Sequence, residues 1–213
     1  KHKQAAKSLL EQGNVYLTHG EPDKAARSFQ ECATFSAMAK IPEQEARCLV
    51  RSARTLNRGG KPEPARQDYE RAITLFKSIG SDEEIKARRS LGHLYESSLS
   101  DYETAEKAFI EFISVGSDLK LLSNSNFWLA ETYYVRENYK DAAKSYLNLY
   151  QKYPEAPKAP NALLKLGISL VNMDQREQGC VTFLKLQETF PSAEETLLQR
   201  GSLEVQKNGC QVS

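Results

Sequence analysis

Length, composition and charge exclude several classes of protein for this chain. With 213 residues and 40% hydrophobic content, it is large enough to bury a core. A formal net charge of +1 provides no overall field of the kind that marks nucleic-acid-binding proteins. No segment approaches the ~20 consecutive apolar residues that a membrane span requires. We therefore expect neither a nucleic-acid partner nor membrane insertion.

The charge is distributed unevenly along the chain. Residues 1–98 contain 17 Lys and Arg against 13 Asp and Glu, whereas the remainder contains 12 against 15. The first half is therefore basic and the second half acidic. The sequence begins KHKQAAK without a methionine, as expected of a processed product or an excised fragment, so its start does not identify the compartment.

Glycine, proline and Ser-Asp signals divide the sequence into pairs of helices. Pro22-Asp23 is a favourable helix start, while Pro154, Pro157 and Pro160 cannot lie inside a helix and mark a loop. A last amphipathic segment, about Ala193–Lys207, has the charged pattern of a capping helix. The predicted pairs cover about Lys3–Lys40, Ile41–Ser78, Ser81–Val115, Leu122–Tyr153 and Asn161–Pro191.

The same spacing of small and aromatic residues recurs in every pair. In the fifth pair, Gly167 is followed by Leu170 three residues on, Gly179 twelve on and Phe183 sixteen on. The other copies begin at Gly13, Ala53, Gly92 and Ala130, and the third copy has one extra residue in its turn. Small residues on both helices allow a close approach, and the aromatic side chain fills the gap between one pair and the next. A period of 37 to 40 residues is typical of helical repeats.

This order of small residue, Tyr, Ala, aromatic and proline resembles the tetratricopeptide repeat (TPR). The resemblance implies an all-α fold, namely a right-handed superhelical solenoid of five TPR-like helix pairs plus a C-terminal capping helix. A non-repeating helical bundle would not need small and aromatic residues at fixed offsets.

The second half of the chain carries more specific strings. YPEAPKAPNALLKLGISL and REQGCVTF, within residues 100–210, resemble the C-terminal repeat domain of the periplasmic CpoB (YbgF) family of Gram-negative bacteria. The resemblance implies a non-enzymatic adaptor of the Tol-Pal system, which links peptidoglycan synthesis to outer-membrane constriction. Residues 1–98 lack that family's coiled coil and carry 39- and 40-residue repeats similar to those of intracellular peptide-binding adaptors. We therefore divide one continuous solenoid into repeats of two types, residues 1–98 and 99–213.

The sequence offers no catalytic or metal-binding constellation. His2, His19 and His93 lie in different repeats, and the sequence contains no HExxH, GxSxG or P-loop motif. We expect no catalytic residue, no metal and no cofactor, so the chain is predicted not to be an enzyme.

Helix geometry indicates which residues face the groove of a solenoid. On the first helix of each pair, these are the positions about a hundred degrees away from the small and aromatic packing residues. In pairs two and three the predicted groove is cationic, and in pairs four and five it is largely apolar; a merely solvated face is the alternative for the cationic set. The predicted partner-binding residues are Arg47, Arg54, Arg58, Lys86, Arg89, His93, Phe127, Glu131, Tyr134, Leu164, Ile168 and Val171.

The four cysteines bear on the compartment. They form no C-x-x-C pair, so zinc binding and thioredoxin-like chemistry are not expected. If the capping helix runs antiparallel to the second helix of the last repeat, Cys210 returns to within bridging range of Cys180. The CpoB resemblance implies the same pairing, while two free thiols are the alternative that a cytosolic protein would show. Cys32 and Cys48 lie on neighbouring helices and are expected to pack as small hydrophobic residues.

Two functions fit these observations. The first is a periplasmic envelope and cell-division adaptor whose protein or peptide partner belongs to the Tol-Pal or peptidoglycan-synthesis systems. The second is an intracellular TPR adaptor that binds a peptide and has no connection with the envelope. In both, the concave groove binds a partner peptide or helix.

Overall fold

The computed structural model describes residues 1–210, and this part of the chain is helical throughout, with no β-strand. The all-α, TPR-like architecture predicted from the repeat is confirmed. The helices are α1 (His2–Thr18), α2 (Pro22–Met38), α3 (Pro42–Arg58), α4 (Pro62–Ser78), α5 (Glu83–Leu94), α6 (Tyr102–Val115), α7 (Leu119–Val135), α8 (Tyr139–Lys152), α9 (Ala159–Asn172), α10 (Arg176–Thr189) and α11 (Glu195–Lys207).

The chain forms two compact units, Lys1–Ala108 and Phe109–Ser213, whose boundary lies within α6. In the first unit, α1 to α5 pack in chain order, each helix against the next. In the second unit, α7 to α11 do the same, and α11 also contacts α9. The predicted division at residue 98 concerns repeat type rather than compactness, and it stays a prediction.

The recurring small and aromatic residues form the core of both units. Every small residue of the repeated spacing is buried, from Gly13 and Ala25 in the first copy to Gly167 and Gly179 in the fifth. The aromatic residues of that spacing are no more than 3% exposed. These aromatic residues are Phe29, Tyr69, Phe109, Tyr146 and Phe183.

Two glycines show why the spacing requires a small residue. A Cβ atom on Gly13 would lie 2.7 Å from Phe29 Cδ1, and one on Gly167 would lie 2.7 Å from Phe183 Cδ1. Each aromatic ring therefore fills space against the glycine of its own helix pair, whereas the sequence suggested the gap between successive pairs. The ring and the absent side chain together set how closely the two helices approach.

The turns between helices use left-handed backbone conformations. Gly20 and Gly60 have a φ of 72°, which glycine adopts without steric cost. The insertion in the third copy is accommodated by a π-helical segment, Tyr95–Leu99, followed by Ser100 with a φ of 54°. A π-helical turn holds one more residue than an α-helical turn, so the extra residue does not change which face of the helix is buried.

We expect the variant Gly13→Ala to lower the free energy of unfolding of the first unit by about 1 kcal/mol. Overpacking costs about 1–3 kcal/mol, and the better helix propensity of alanine returns up to about 1 kcal/mol. In a Phe29→Leu background the added methyl group has more room, so a double-mutant cycle should show a coupling of about 1 kcal/mol. Urea unfolding followed by circular dichroism measures it.

Gly59→Ala is the matched control, because its Cβ atom would meet its nearest neighbours at 3.5 Å, an ordinary contact. A Gly13→Ala cost that is the same in the unmodified chain and in the Phe29→Leu background would contradict this account of the repeat.

Candidate functional site: a cationic groove in the first unit

A row of arginines runs along one face of α3. Arg47, Arg51, Arg54 and Arg58 follow one another at helix spacings of four, three and four residues. At 100° per residue, they lie within about 60° of one another around the helix axis and span about 16 Å along it. The sequence therefore places four guanidinium groups on a single stripe of the helix.

This stripe forms one wall of a groove of about 430 Å³ in the first unit. Five cationic side chains line the groove, Lys86 of α5 joining the four arginines, and the only acidic lining residue is Glu83. The remaining lining residues of the groove are apolar or buried side chains from four helices. These are Leu10 and Leu17 of α1, Val50 and Thr55 of α3, Phe76 of α4 and Ala87 of α5.

Neighbouring residues orient two of the arginines. Arg47 donates a hydrogen bond to Glu43 Oε1 at 2.8 Å, and Arg51 donates one to Asn14 Oδ1 on α1 at 2.9 Å. The first pair is solvent-exposed on both sides, so its strength is that of a surface ion pair, about 0–1 kcal/mol. These arginines are positioned, yet their charges remain available to a ligand.

The other two arginines have no carboxylate of their own within the described residues. The positive charge of Arg54 acts on the hydroxyl group of the buried Tyr69. Burial raises the pKa of Tyr69 above its ordinary value, although the Arg54 charge opposes that shift, so the hydroxyl stays neutral at neutral pH. Arg54 and Arg58 are both exposed. They therefore bring uncompensated positive charge to the groove.

Two residues predicted for the cationic groove lie elsewhere. Arg89 and His93 are on α5, half-buried, and outside the groove lining. Burial lowers the pKa of His93 and the Arg89 charge lowers it further, so the imidazole is neutral at neutral pH; its Nδ1 lies 3.8 Å from Glu96 Oε2. In contrast, the sequence prediction omitted Arg51, which the four-residue spacing from Arg47 places on the same face.

The apolar groove predicted for the second unit is filled by the core. Phe127, Leu164 and Ile168 are 6%, 2% and 9% exposed, and they pack in the same hydrophobic cluster. The expectation that these three side chains form an exposed patch is wrong, because side chains of the neighbouring helices cover the face that helix periodicity assigned to the groove. Val171 is partly buried against that cluster, and its Cγ2 atom would lie 2.6 Å from a Cβ atom on Gly179.

The polar and aromatic members of that set form an internal network. Glu131 accepts hydrogen bonds from the Tyr146 hydroxyl group and, at 3.0 Å, from Lys165 Nζ. Lys165 Nζ also lies 4.3 Å from the centre of the Tyr134 ring. The network links α7, α8 and α9, so its evident role is to hold these three helices together.

The structure pairs all four cysteines. Cys180 and Cys210 form a disulfide with Cα atoms 5.3 Å apart, as the sequence predicted. Cys32 and Cys48 form a second disulfide, with Cα atoms 5.9 Å apart, where the sequence prediction had only hydrophobic packing. Their positions carried a signal for this: both are eight residues from the turn at Lys40, so they face each other across α2 and α3.

Residues 1–210 contain neither a membrane-spanning helix nor a metal-binding cluster. Within that range no helix is long and apolar enough to cross a membrane. The same residues contain no cluster of histidine, cysteine or acidic side chains able to hold a metal ion.

A model of the soluble NSF attachment protein (SNAP) family matches residues 1–199. The chain belongs to the SNAP family. A search of curated proteins gives no match. The SNAP assignment therefore rests on the family model.

Solved structures show the same fold for this SNAP-family chain. MamA from Desulfovibrio magneticus RS-1 has a TM-score of 0.74 at 16% identity, with 92% of this chain and 100% of that chain covered. The putative kinesin light chain repeats of Podosopora anserina give 0.73 at 12% identity, with 92% and 99% covered. The apo form of RapI gives 0.73 at 11% identity, with 95% and 83% covered. None of these similarities is to the CpoB family. Repeat folds of this type generally serve as protein-interaction scaffolds.

The Glu131 network gives a prediction for the second unit. Glu131→Gln should lower the free energy of unfolding by about 1–3 kcal/mol, because it leaves the Lys165 charge without its partner at a site where both side chains are largely buried, 21% and 16% exposed. The measurement is thermal or urea unfolding, with hydrogen exchange to assign the loss to α7, α8 and α9.

Glu188→Gln is the matched control in the same unit. It removes the partner of Lys185 in a pair whose side chains are 74% and 49% exposed, so its expected effect is about 0–1 kcal/mol. Equal effects of the two substitutions would show that the Glu131 network does not hold the helices together.

Proposed function

We propose that this chain is a non-enzymatic adaptor that binds an acidic peptide or helix in the cationic groove of its first unit. The observation that carries the proposal is the stripe of Arg47, Arg51, Arg54 and Arg58 facing Lys86 across an apolar floor. The SNAP family is named for attachment to another protein, NSF, and an adaptor function agrees with that name.

The dimensions of the stripe favour a particular kind of ligand. Four cations over about 16 Å match a helix that carries acidic residues at the same spacings of four, three and four positions. Apolar side chains between those acids would pack on Leu10, Leu17 and Val50. Burial of these apolar groups supplies affinity, while the arginines supply orientation and rate of association.

A fluorescently labelled helical peptide with glutamate at those four positions and leucine between them is the probe for this function. We expect Arg54→Glu and Arg58→Glu each to weaken its binding roughly tenfold or more, since each replaces an attraction with a repulsion at a charge that has no carboxylate of its own. Affinity should also fall as salt is added. Fluorescence anisotropy measures both effects.

Arg27→Glu is the matched control, because Arg27 is an exposed arginine of the same unit that lies outside the groove. A second control is the probe peptide with glutamine in place of glutamate. If Arg27→Glu weakens binding as much as Arg54→Glu, the interaction is a general charge effect and the groove is not the site.

A second candidate is an exported adaptor of the Gram-negative envelope, linked to the Tol-Pal system. Two features of the chain support it: strings in residues 100–210 that resemble the CpoB family, and the two disulfides, since disulfides form and persist in oxidising compartments such as the periplasm. Here the partner of the adaptor would be a component of the Tol-Pal or peptidoglycan-synthesis machinery. The alternative, an intracellular adaptor with the same groove, predicts reduced cysteines.

The oxidation state in the producing cell separates these two locations. Cells are quenched in acid, free thiols are alkylated, and peptides are mapped by mass spectrometry. An exported protein should yield all four cysteines in the pairs Cys32–Cys48 and Cys180–Cys210. Four alkylated cysteines in freshly quenched cells would exclude the envelope candidate.

A further inference from the structure

The two disulfides differ in their exposure to solvent. Cys32 and Cys48 are both 0% exposed and lie in a hydrophobic cluster with Ala6, Ala33 and Leu49. Cys180 and Cys210 are partly exposed, and both line an open cleft of about 660 Å³ in the second unit. A thiol reagent can reach a disulfide only where its sulfurs are accessible, so the two bridges should react at very different rates.

We propose that Cys180–Cys210 is a redox site at which a dithiol reductant releases the C-terminal helix α11, while Cys32–Cys48 remains oxidised. The proposal concerns the second unit and does not depend on the groove in the first unit. It assigns to Cys180–Cys210 a reversible reaction, in addition to a structural role.

The reaction is ordinary thiol–disulfide exchange with a dithiol as the electron donor. One thiolate of the reductant attacks a sulfur of the bridge, which forms a mixed disulfide and releases the other cysteine as a thiolate that takes up a proton. The second thiol of the reductant then loses its proton, and the resulting thiolate attacks the reductant's sulfur in the mixed disulfide, which releases the second cysteine as a thiolate that takes up a proton. The products are Cys180 and Cys210 as free thiols and the reductant as a disulfide, so two electrons pass to the protein.

The cleft has a polar lining that would admit such a reductant. Its other lining residues are Asp174, Gln175, Arg176, Glu177, Gln178 and Gly209. Arg176 donates hydrogen bonds to the backbone carbonyl oxygens of Asn208, at 2.5 Å, and of Gly209, at 3.3 Å. The segment that carries Cys210 is thus held at the cleft by two attachments, the disulfide and the Arg176 side chain.

Few other interactions hold α11 in place. Of its thirteen residues only Gly201 is buried, against Leu186 of α10. Gln187 donates a hydrogen bond to Ser202 Oγ at 2.9 Å, and Leu197 and Val205 pack partly buried against the core. Because this packing is sparse, loss of the disulfide should convert α11 from a fixed helix into one that opens frequently.

Opening of α11 would uncover an apolar face of α10. Leu186 is 0% exposed with α11 in place, and just past the end of α10 Phe190 packs on Tyr150 with their ring centres 6.2 Å apart. Terminal repeats of helical solenoids need a polar cap to shield such a face from water. Reduction would therefore expose a surface that another protein can bind.

The experiment treats the full chain with increasing dithiothreitol at neutral pH and follows two readouts at each concentration. Differential alkylation with peptide mapping reports which cysteines are free, and hydrogen exchange reports protection in α11 and in α2 and α3. We expect Cys180 and Cys210 to become free together while Cys32 and Cys48 stay bonded. Over the same range, α11 amides should exchange roughly tenfold or more faster, with α2 and α3 unchanged.

Two variants keep the result interpretable. Cys180→Ser with Cys210→Ser should show fast exchange in α11 without reductant and no further change on its addition, with circular dichroism confirming that the remaining helices are folded. Cys32→Ser with Cys48→Ser should respond to dithiothreitol as the unmodified chain does. Release of all four thiols at one dithiothreitol concentration, or reduced Cys180 and Cys210 with α11 still fully protected, would overturn the proposal.

Discussion

Both units depend on the close approach of paired helices. Small residues permit this approach, and aromatic rings fill the space between the two helices. Gly13 against Phe29 and Gly167 against Phe183 are its clearest instances, since neither glycine has room for a Cβ atom. Interiors packed at this density tolerate little change of volume. The spacing therefore recurs from copy to copy although the surfaces of the helices differ.

One face of each helix packs in the core, so its other faces are available to contact a ligand. In α3 the buried side is carried by Ala46, Leu49 and Ala53, and the arginine stripe occupies a different face of the same helix. The groove of the first unit results from this separation, because its cations are exposed while its floor is apolar. In the second unit, neighbouring helices cover the corresponding face at Phe127, Leu164 and Ile168.

The sequence predicted the fold better than it predicted the site. Small residues, aromatic residues and turn signals specify the helix pairs locally, which is why the helix order and most helix bounds are correct to within a few residues. For the site, helix periodicity gives the direction of a side chain but does not reveal what lies opposite. Arg47, Arg54, Arg58 and Lys86 line the groove of the first unit, whereas Leu164 faces the core of the second unit. The Cys32–Cys48 pairing follows from the equal distances of both cysteines from the turn at Lys40, a register that the hydrophobic pattern alone does not contain.

The central claim is that an acidic ligand binds along the arginine stripe of α3. Arginine side-chain NMR reports this directly, since the Nε–H signals of individual arginines shift when their guanidinium groups contact carboxylates. On titration with the glutamate-bearing helical peptide, the account predicts shifts at Arg47, Arg51, Arg54 and Arg58, with Arg27 and Arg200 unchanged. Uniform small shifts at all exposed arginines, or shifts confined to arginines outside α3, would contradict it.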